Sequence, residues 1–270
     1  MMKAREHPHP VESVSASADA PAQDWLGLVC GGALAFIVSS IGHEVIGHGG
    51  AAWLTGARTL RLSSVYFDAA GARPIVDAAG PLMNLLLSAL MVLWYRRRPP
   101  ASSHGRFLIG AVAALNLMWG FGYFFFTGVA NRGDWAFLFR NSPSPWVWRG
   151  ALIVVGAYGY RRSITVMGEM FAPFAPRSRA PGRALFGPAI LLYLSAGATC
   201  CLAALFYRGP VGRALHESAI ESFGAFLGLW FVAPRSAEAA VRVERDWRWI
   251  VVTLAIVALY VGTLGRGYLA

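Results

Sequence analysis

The chain has 270 residues, of which 56% are hydrophobic and only 14% charged, with a mean hydropathy of +0.48. Soluble domains carry about a quarter charged residues, so this composition excludes an ordinary water-soluble body and predicts an integral membrane protein. The net charge of +10 sits mostly on arginines in short loops between apolar runs, which points to anionic headgroups of a lipid bilayer as the partner and not to nucleic acid.

Residues 1–24 are polar and rich in Ala, Ser and Pro, and read as a disordered tail with no cleavable signal peptide. The apolar runs then predict an all-α, polytopic membrane helix bundle of six or seven transmembrane helices. The strong runs are Trp25–Leu54, Ile75–Tyr95, Phe107–Val129, Ile190–Tyr207 (with a possible start near Ala184) and Trp249–Leu264. Each approaches the roughly 20 residues that cross a bilayer. Trp146–Tyr160 is short, and Ala214–Val232 is weakened by His216, Glu217 and Glu221. Residues 161–183 read as a basic, Pro-rich linker, and PSPWVWRG (residues 143–150) as an interfacial anchor. Between the first two runs, TLRLSSVYFDAAGARP alternates apolar and polar residues around Asp-Ala-Ala-Gly, which predicts a short hairpin. A hairpin at membrane depth has to be buried in protein or line a cavity, so a site is expected beside it. Cys30, Cys200 and Cys201 lie in apolar runs without CxxC spacing and read as small core residues.

The first run contains IGHEVIGHGG, and from Trp25 to Ala57 its only formal charge is Glu44, between His43 and His48. Charged groups inside a membrane helix cost about 2.5–3.5 kcal/mol each on insertion scales, so the cluster needs a purpose. A zinc ion held by two imidazoles, with a carboxylate to take a proton from water, supplies one. The histidines are five apart, not four as in HExxH. On an ideal α-helix that leaves them about 140° apart, unable to share a metal. A π-bulge returns them to one face, and Gly47, Gly49 and Gly50 ease the distortion. The same residues also suit a buried polar helix face, a transporter or proton relay, or a metal-free binding partner.

HEVIGH resembles the HExxGH signature of dipeptidyl peptidase III, over six residues. Across residues 26–140 the chain resembles the site-2 protease group of intramembrane zinc metalloproteases. There a first core helix carries the zinc histidines, a hairpin follows, and a second helix opens with a GP-x-x-N-like element, here Gly80, Pro81 and Asn84. The resemblance implies a metallopeptidase core over 25–140 followed by C-terminal transmembrane helices over 141–270. It implies His43, His48 and Asp134 (of NRGDW) as Zn²⁺ ligands, Glu44 as catalytic base, Asn84 at the substrate or oxyanion, and a membrane-protein substrate. The extra residue in the histidine spacing and the absence of the group's N-x-x-P…L-D-G wording around Asp134 are departures from its pattern.

Helix length supports Asp134 independently. From Trp25 to His43 is about 27 Å of helix, toward the far end of the first run, and Asp134 lies just past the third run, on the same side if both cross. Glu217 and Glu221, four apart on one helix face, are the alternative third ligand, or an interfacial pair. The expected location is the plasma (inner) membrane. With seven spans the N-terminal side collects 15 of the 24 Lys and Arg, which turns the site outward, whereas the site-2 group opens toward the cytosol.

Overall fold

The computed structural model describes residues 23–175, 187–233 and 240–270. Residues 1–22 of the expected tail, 176–183 of the expected linker and the possible start at Ala184 lie outside them. The described chain is a bundle of helices, five of which are long and apolar enough to cross a membrane. These are α1 (Trp25–Thr55), α2 (Pro74–Arg97), α3 (Ser103–Ala130), α6 (Gly187–Leu205) and α8 (Trp247–Gly265). Short α4 (Asp134–Phe139), long α5 (Pro145–Met170) and short α7 (Val211–Ala219) complete the set.

The two weaker expected spans take other forms. The short run at 146–160 is part of the 26-residue α5, which runs on to Met170. Residues 161–170 are therefore helix and not linker, and the Arg161–Arg162 pair keeps α5 below the hydropathy of the five. The run at 214–232 breaks into α7, a π-helical turn at Ile220–Gly224 and a 3-10 turn at Leu227–Phe231. Tyr160 enforces that break: its hydroxyl donates to the Ala225 carbonyl and accepts from the Gly228 N–H, both at 2.7 Å. Backbone groups bonded sideways in this way cannot continue a helical ladder.

Helix α1 is the central element, with twelve of its first sixteen residues buried. Asp24 caps it by accepting from the Gly27 N–H at 2.9 Å and pairs with Arg245 at 3.1 Å. Gln23 exchanges hydrogen bonds with the backbone at Val241 and Val243. These last two residues of the expected tail are thus tied to the segment that leads into α8. Around α1 the core is filled by Phe36, Phe107, Leu115, Met118, Phe171, Phe174, Leu192 and Phe226. Aliphatic and aromatic side chains such as Leu54, Val154, Leu254 and Leu259 face outward, as a lipid-exposed surface requires.

The hairpin is present, with a different turn. Strands β1 (Arg58–Leu62) and β2 (Phe67–Ala70) pair antiparallel, with an irregularity between Thr59 and Arg61. Asp68, Ala69 and Ala70 belong to β2, and Ser63–Tyr66 makes the turn. The Ser63 N–H donates to the Tyr66 carbonyl (2.8 Å) while its hydroxyl accepts from the Tyr66 N–H (3.0 Å), so a serine turn outcompetes the Asp-Ala-Ala-Gly segment. Gly71, at φ 73°, then redirects the chain toward α2. A third strand, β3 (Tyr268–Leu269), adds to the other edge of β1, giving the order β2-β1-β3.

Candidate metal centre

The second half of α1 is π-helical over Ile41–Gly49. In a π-helix the bonds run from i to i+5, so residues five apart lie one above the other. His43 and His48 accordingly bring their Nε2 atoms to 3.2 Å. Nine residues take this form, more than a single bulge. The glycines ease it and also let α2 approach: a Cβ on Gly47 would stand 2.7 Å from the Gly80 Cα. Small residues at such a crossing allow the backbones to touch.

Asp134 reaches the pair from the other side. Helix α3 ends at Asn131 in the left-handed region (φ 53°), and Gly133, at φ 83°, turns the chain back into α4. Arg149 on α5 ties down the end of α3 by donating to the Gly128 and Val129 carbonyls at 2.9 and 2.8 Å. The Asp134 N–H donates to the Tyr123 hydroxyl at 3.1 Å. Its Oδ2 then lies 3.4 Å from His43 Nε2 and 3.3 Å from His48 Nε2. Among the described residues, this is the one group of three His, Cys, Asp or Glu whose donor atoms gather closely enough to hold a metal ion.

The protonation of the rings follows from their outer partners. His48 Nδ1 lies 2.6 Å from the Val76 carbonyl, which can only accept, so Nδ1 carries the proton. For His43 the logic runs through two amides. Asn116 Nδ2 donates to the Val112 carbonyl and to Ser39 Oγ, both at 2.7 Å, which orients Asn116. Its Oδ1 accepts from Asn84 Nδ2 at 2.7 Å, so Asn84 Oδ1 faces His43 Nδ1, at 2.5 Å, as an acceptor. Both imidazoles therefore turn an Nε2 lone pair inward. Asp134 Oδ2 joins them, buried and without a hydrogen-bond donor.

Three acceptor atoms at 3.2–3.4 Å repel one another unless a cation lies among them. A proton bridges two atoms, not three. A tetrahedral ion with bonds of 2.0–2.1 Å has edges of about 3.3 Å, which these separations match. The group can therefore hold a metal ion, and its donors are held from behind as metal ligands usually are. The His43 ring stacks on Trp119 (centroids 4.9 Å apart, planes at 5°) and His48 on Phe67 of β2 (5.5 Å, 15°). The hairpin thus forms one wall of the site.

The group opens into a cavity of about 1400 Å³. Glu44 lines it, with an Oε2 that is buried and has no hydrogen-bond partner. Tyr160, Ile164, Glu217, Glu221 and Phe231 line it too, so the chain beyond residue 140 supplies part of the wall around the expected core. Glu217 and Glu221 stand apart from the three donors, which sets aside their expected role as the alternative third ligand.

Asn84 departs from expectation. It is fully buried, engaged at both ends of its amide by His43 and Asn116, and does not line the cavity. It orients a ring instead of meeting a substrate. The Gly80-Pro81 pair likewise does not begin its helix, which starts at Pro74 and passes through Pro81. Gly80 faces His48, and a Cβ there would collide with the imidazole. Asn116, Trp119 and Tyr123 escaped the sequence reading. Their signal was present: Asn116 is a lone amide in an apolar run, and Trp119 and Tyr123 follow at +3 and +7 on the same helical face.

Comparison of the chain with protein-family models, with curated proteins and with solved structures finds no match. Any functional reading therefore rests on the chemistry of the site.

Proposed function

We propose that the chain is an intramembrane zinc metallopeptidase of the site-2 protease type, hydrolysing peptide bonds in or near transmembrane segments of membrane proteins. The observation that carries the reading is the convergence of His43, His48 and Asp134 on one point beside an unpartnered Glu44, inside helices apolar enough for a membrane. Two neutral imidazoles and a carboxylate form an N₂O set suited to Zn²⁺, with room for a fourth ligand. When bound, the zinc ion supplies Lewis acidity that polarises a carbonyl and acidifies water toward pH 7.

The protein's own groups do the rest. Asn84 and the Val76 carbonyl hold the two rings in the tautomer that leaves Nε2 free. Glu44 takes the proton from the attacking water and returns it to the leaving amine as the peptide bond breaks. The aromatic wall, including Phe126, Phe137 and Phe231, suits an apolar segment and keeps bulk water away. The peptide bond must be locally unwound, because a helical one is shielded on every side.

Metal analysis and a cleavage assay test this together. Purified protein is expected to hold one zinc per chain, lost in His43→Ala and His48→Ala. Glu44→Gln is expected to keep the zinc and lose cleavage of a membrane-protein substrate by about 10²–10⁴-fold, the usual worth of a general base. A Glu44→Gln form that cleaves as well as the parent removes the peptidase reading. A transporter or relay using the same residues would move its cargo without any cut product.

A further inference from the structure

Hydrolysis of a peptide bond builds negative charge on the carbonyl oxygen, and the residue expected to meet it, Asn84, is spent behind His43 and does not line the cavity. A hydroxyl stands nearer. Tyr123 lies one turn beyond Trp119 on α3, with its ring centroid 6.2 Å from that of His43, and it lines the cavity together with Glu44. Its oxygen accepts the Asp134 N–H at 3.1 Å. Only the acceptor side is thereby used. Among the described residues nothing accepts the hydroxyl proton, and Asp134 Oδ2 and Glu44 Oε2 are both without a donor. Gly133 makes room for this placement, because a Cβ there would collide with the hydroxyl. Other donors that line the cavity are spent or outlying. Tyr160 serves Ala225 and Gly228, Arg61 pairs with Asp68, and Arg132, Arg140 and Arg161 are exposed. A phenol that already accepts an N–H is polarised into a stronger donor.

We propose that the Tyr123 hydroxyl is the oxyanion donor, a catalytic residue that hydrogen-bonds the carbonyl oxygen of the scissile peptide bond as water adds to it. The inference rests on the peptidase reading and deepens it by naming the group that meets the developing charge. As the water oxygen bonds to the carbonyl carbon, Glu44 takes a proton from it and the C=O π pair moves onto the carbonyl oxygen. Tyr123 keeps its own proton and donates it as a hydrogen bond that strengthens as the charge grows. When the C–N bond breaks, its pair leaves with the nitrogen, which takes the proton from Glu44. The C=O bond re-forms, and the hydroxyl is left as it began.

Binding of a stable mimic tests it without turnover. The zinc-loaded Glu44→Gln protein in detergent micelles is titrated with two fluorescent peptides of about 20 residues, built on a uniform leucine run so that the register can adjust. They are identical except that one carries a phosphinate in place of a peptide bond, a tetrahedral anion that imitates the charged carbonyl oxygen. Adding Tyr123→Phe is expected to lower the preference for the phosphinate at least about tenfold, while zinc content and binding of the ordinary peptide stay unchanged. With Glu44 retained, the same substitution is expected to lower kcat for cleavage about 10²–10³-fold with little change in KM. Tyr123 also anchors the Asp134 N–H, and a second variant separates the two roles. A singly ring-fluorinated tyrosine at position 123, assayed where its phenol remains protonated, is a stronger donor and a weaker acceptor. It is expected to raise the phosphinate preference, whereas a residue that only anchors Asp134 would leave the preference unchanged or lower it. No phosphinate preference before Tyr123 is changed, an undiminished preference in Tyr123→Phe, a fall that comes only with loss of zinc, or no rise with the fluorinated ring overturns the donor. The peptidase reading fails separately: a protein with a Tyr123-dependent preference that cuts no substrate keeps the donor and loses the hydrolase.

Discussion

Gly80→Ala adds one methyl group to a residue that binds nothing, and the structure makes it a severe perturbation of the metal centre. The new Cβ would collide with Nε2 of His48 and stand 2.7 Å from its Cδ2 and Cε1, where ordinary contact begins at 3.4 Å, so the ring must retreat by more than about 0.7 Å. It cannot do so freely, because Nδ1 is bonded to the Val76 carbonyl at 2.6 Å and the ring face is stacked on Phe67. Ligand bonds tolerate only about 0.2 Å of error, so a displacement of this size removes His48 from a tetrahedral set. The expected loss of metal affinity is about 100-fold, at the upper end for changes behind a ligand. A competitive titration with a zinc chelator in detergent reads it directly, with circular dichroism of the metal-free form as the control for folding. Alanine is the better helix former by about 1 kcal/mol, so propensity does not work against the variant. A Gly80→Ala protein with zinc affinity within about threefold of the parent would show that His48 does not bind the ion in the orientation described.

Three further outcomes follow from the same geometry. Asn84→Leu removes the acceptor behind His43 Nδ1 and should lower metal affinity about 10–100-fold in the same titration, and parent-like affinity would place the ring's control elsewhere. Gly133→Ala forces a side chain into a backbone region (φ 83°, ψ −174°) essentially reserved for glycine, costing about 1–3 kcal/mol, and drives its Cβ into the Tyr123 ring, so Asp134 should shift and zinc content fall. Metal retention should be complete at pH 8 and lost on acidification, because protons compete with the ion for the imidazole nitrogens. Zinc retained at full stoichiometry after dialysis at about pH 4 would argue against imidazole ligation.

The sequence was most informative where a residue's cost could be judged without knowing its neighbours. Glu44 between two histidines in an uncharged run of 33 residues marks a site in any membrane helix, whatever packs against it. The five-residue spacing also carried its own requirement, since two rings that share an ion cannot sit on opposite faces of a regular helix. The π-helical Ile41–Gly49 segment meets that requirement. Residues whose meaning depends on a partner were harder to read. Asn84 looked as ready for a substrate as for a neighbouring helix, and only the positions of His43 and Asn116 assign it to the second. The run at 214–232 reads as a span weakened only by His216, Glu217 and Glu221, because the Tyr160 hydroxyl that breaks it comes from α5, more than fifty residues earlier.

Composition and local pattern were enough to establish a helical chain with runs apolar enough to cross a membrane, a hairpin after the first, and a polar cluster at residues 43–48, because each depends on short-range spacing and on the cost of charge in an apolar medium. The tertiary structure chose Asp134 over Glu217 and Glu221 as the third member of the group, and it alone decided that Asn84 and the Val76 carbonyl orient the rings and that Glu217 and Glu221 face the same cavity from the far end of the chain. Such facts depend on contacts between groups distant in sequence, which no local spacing encodes.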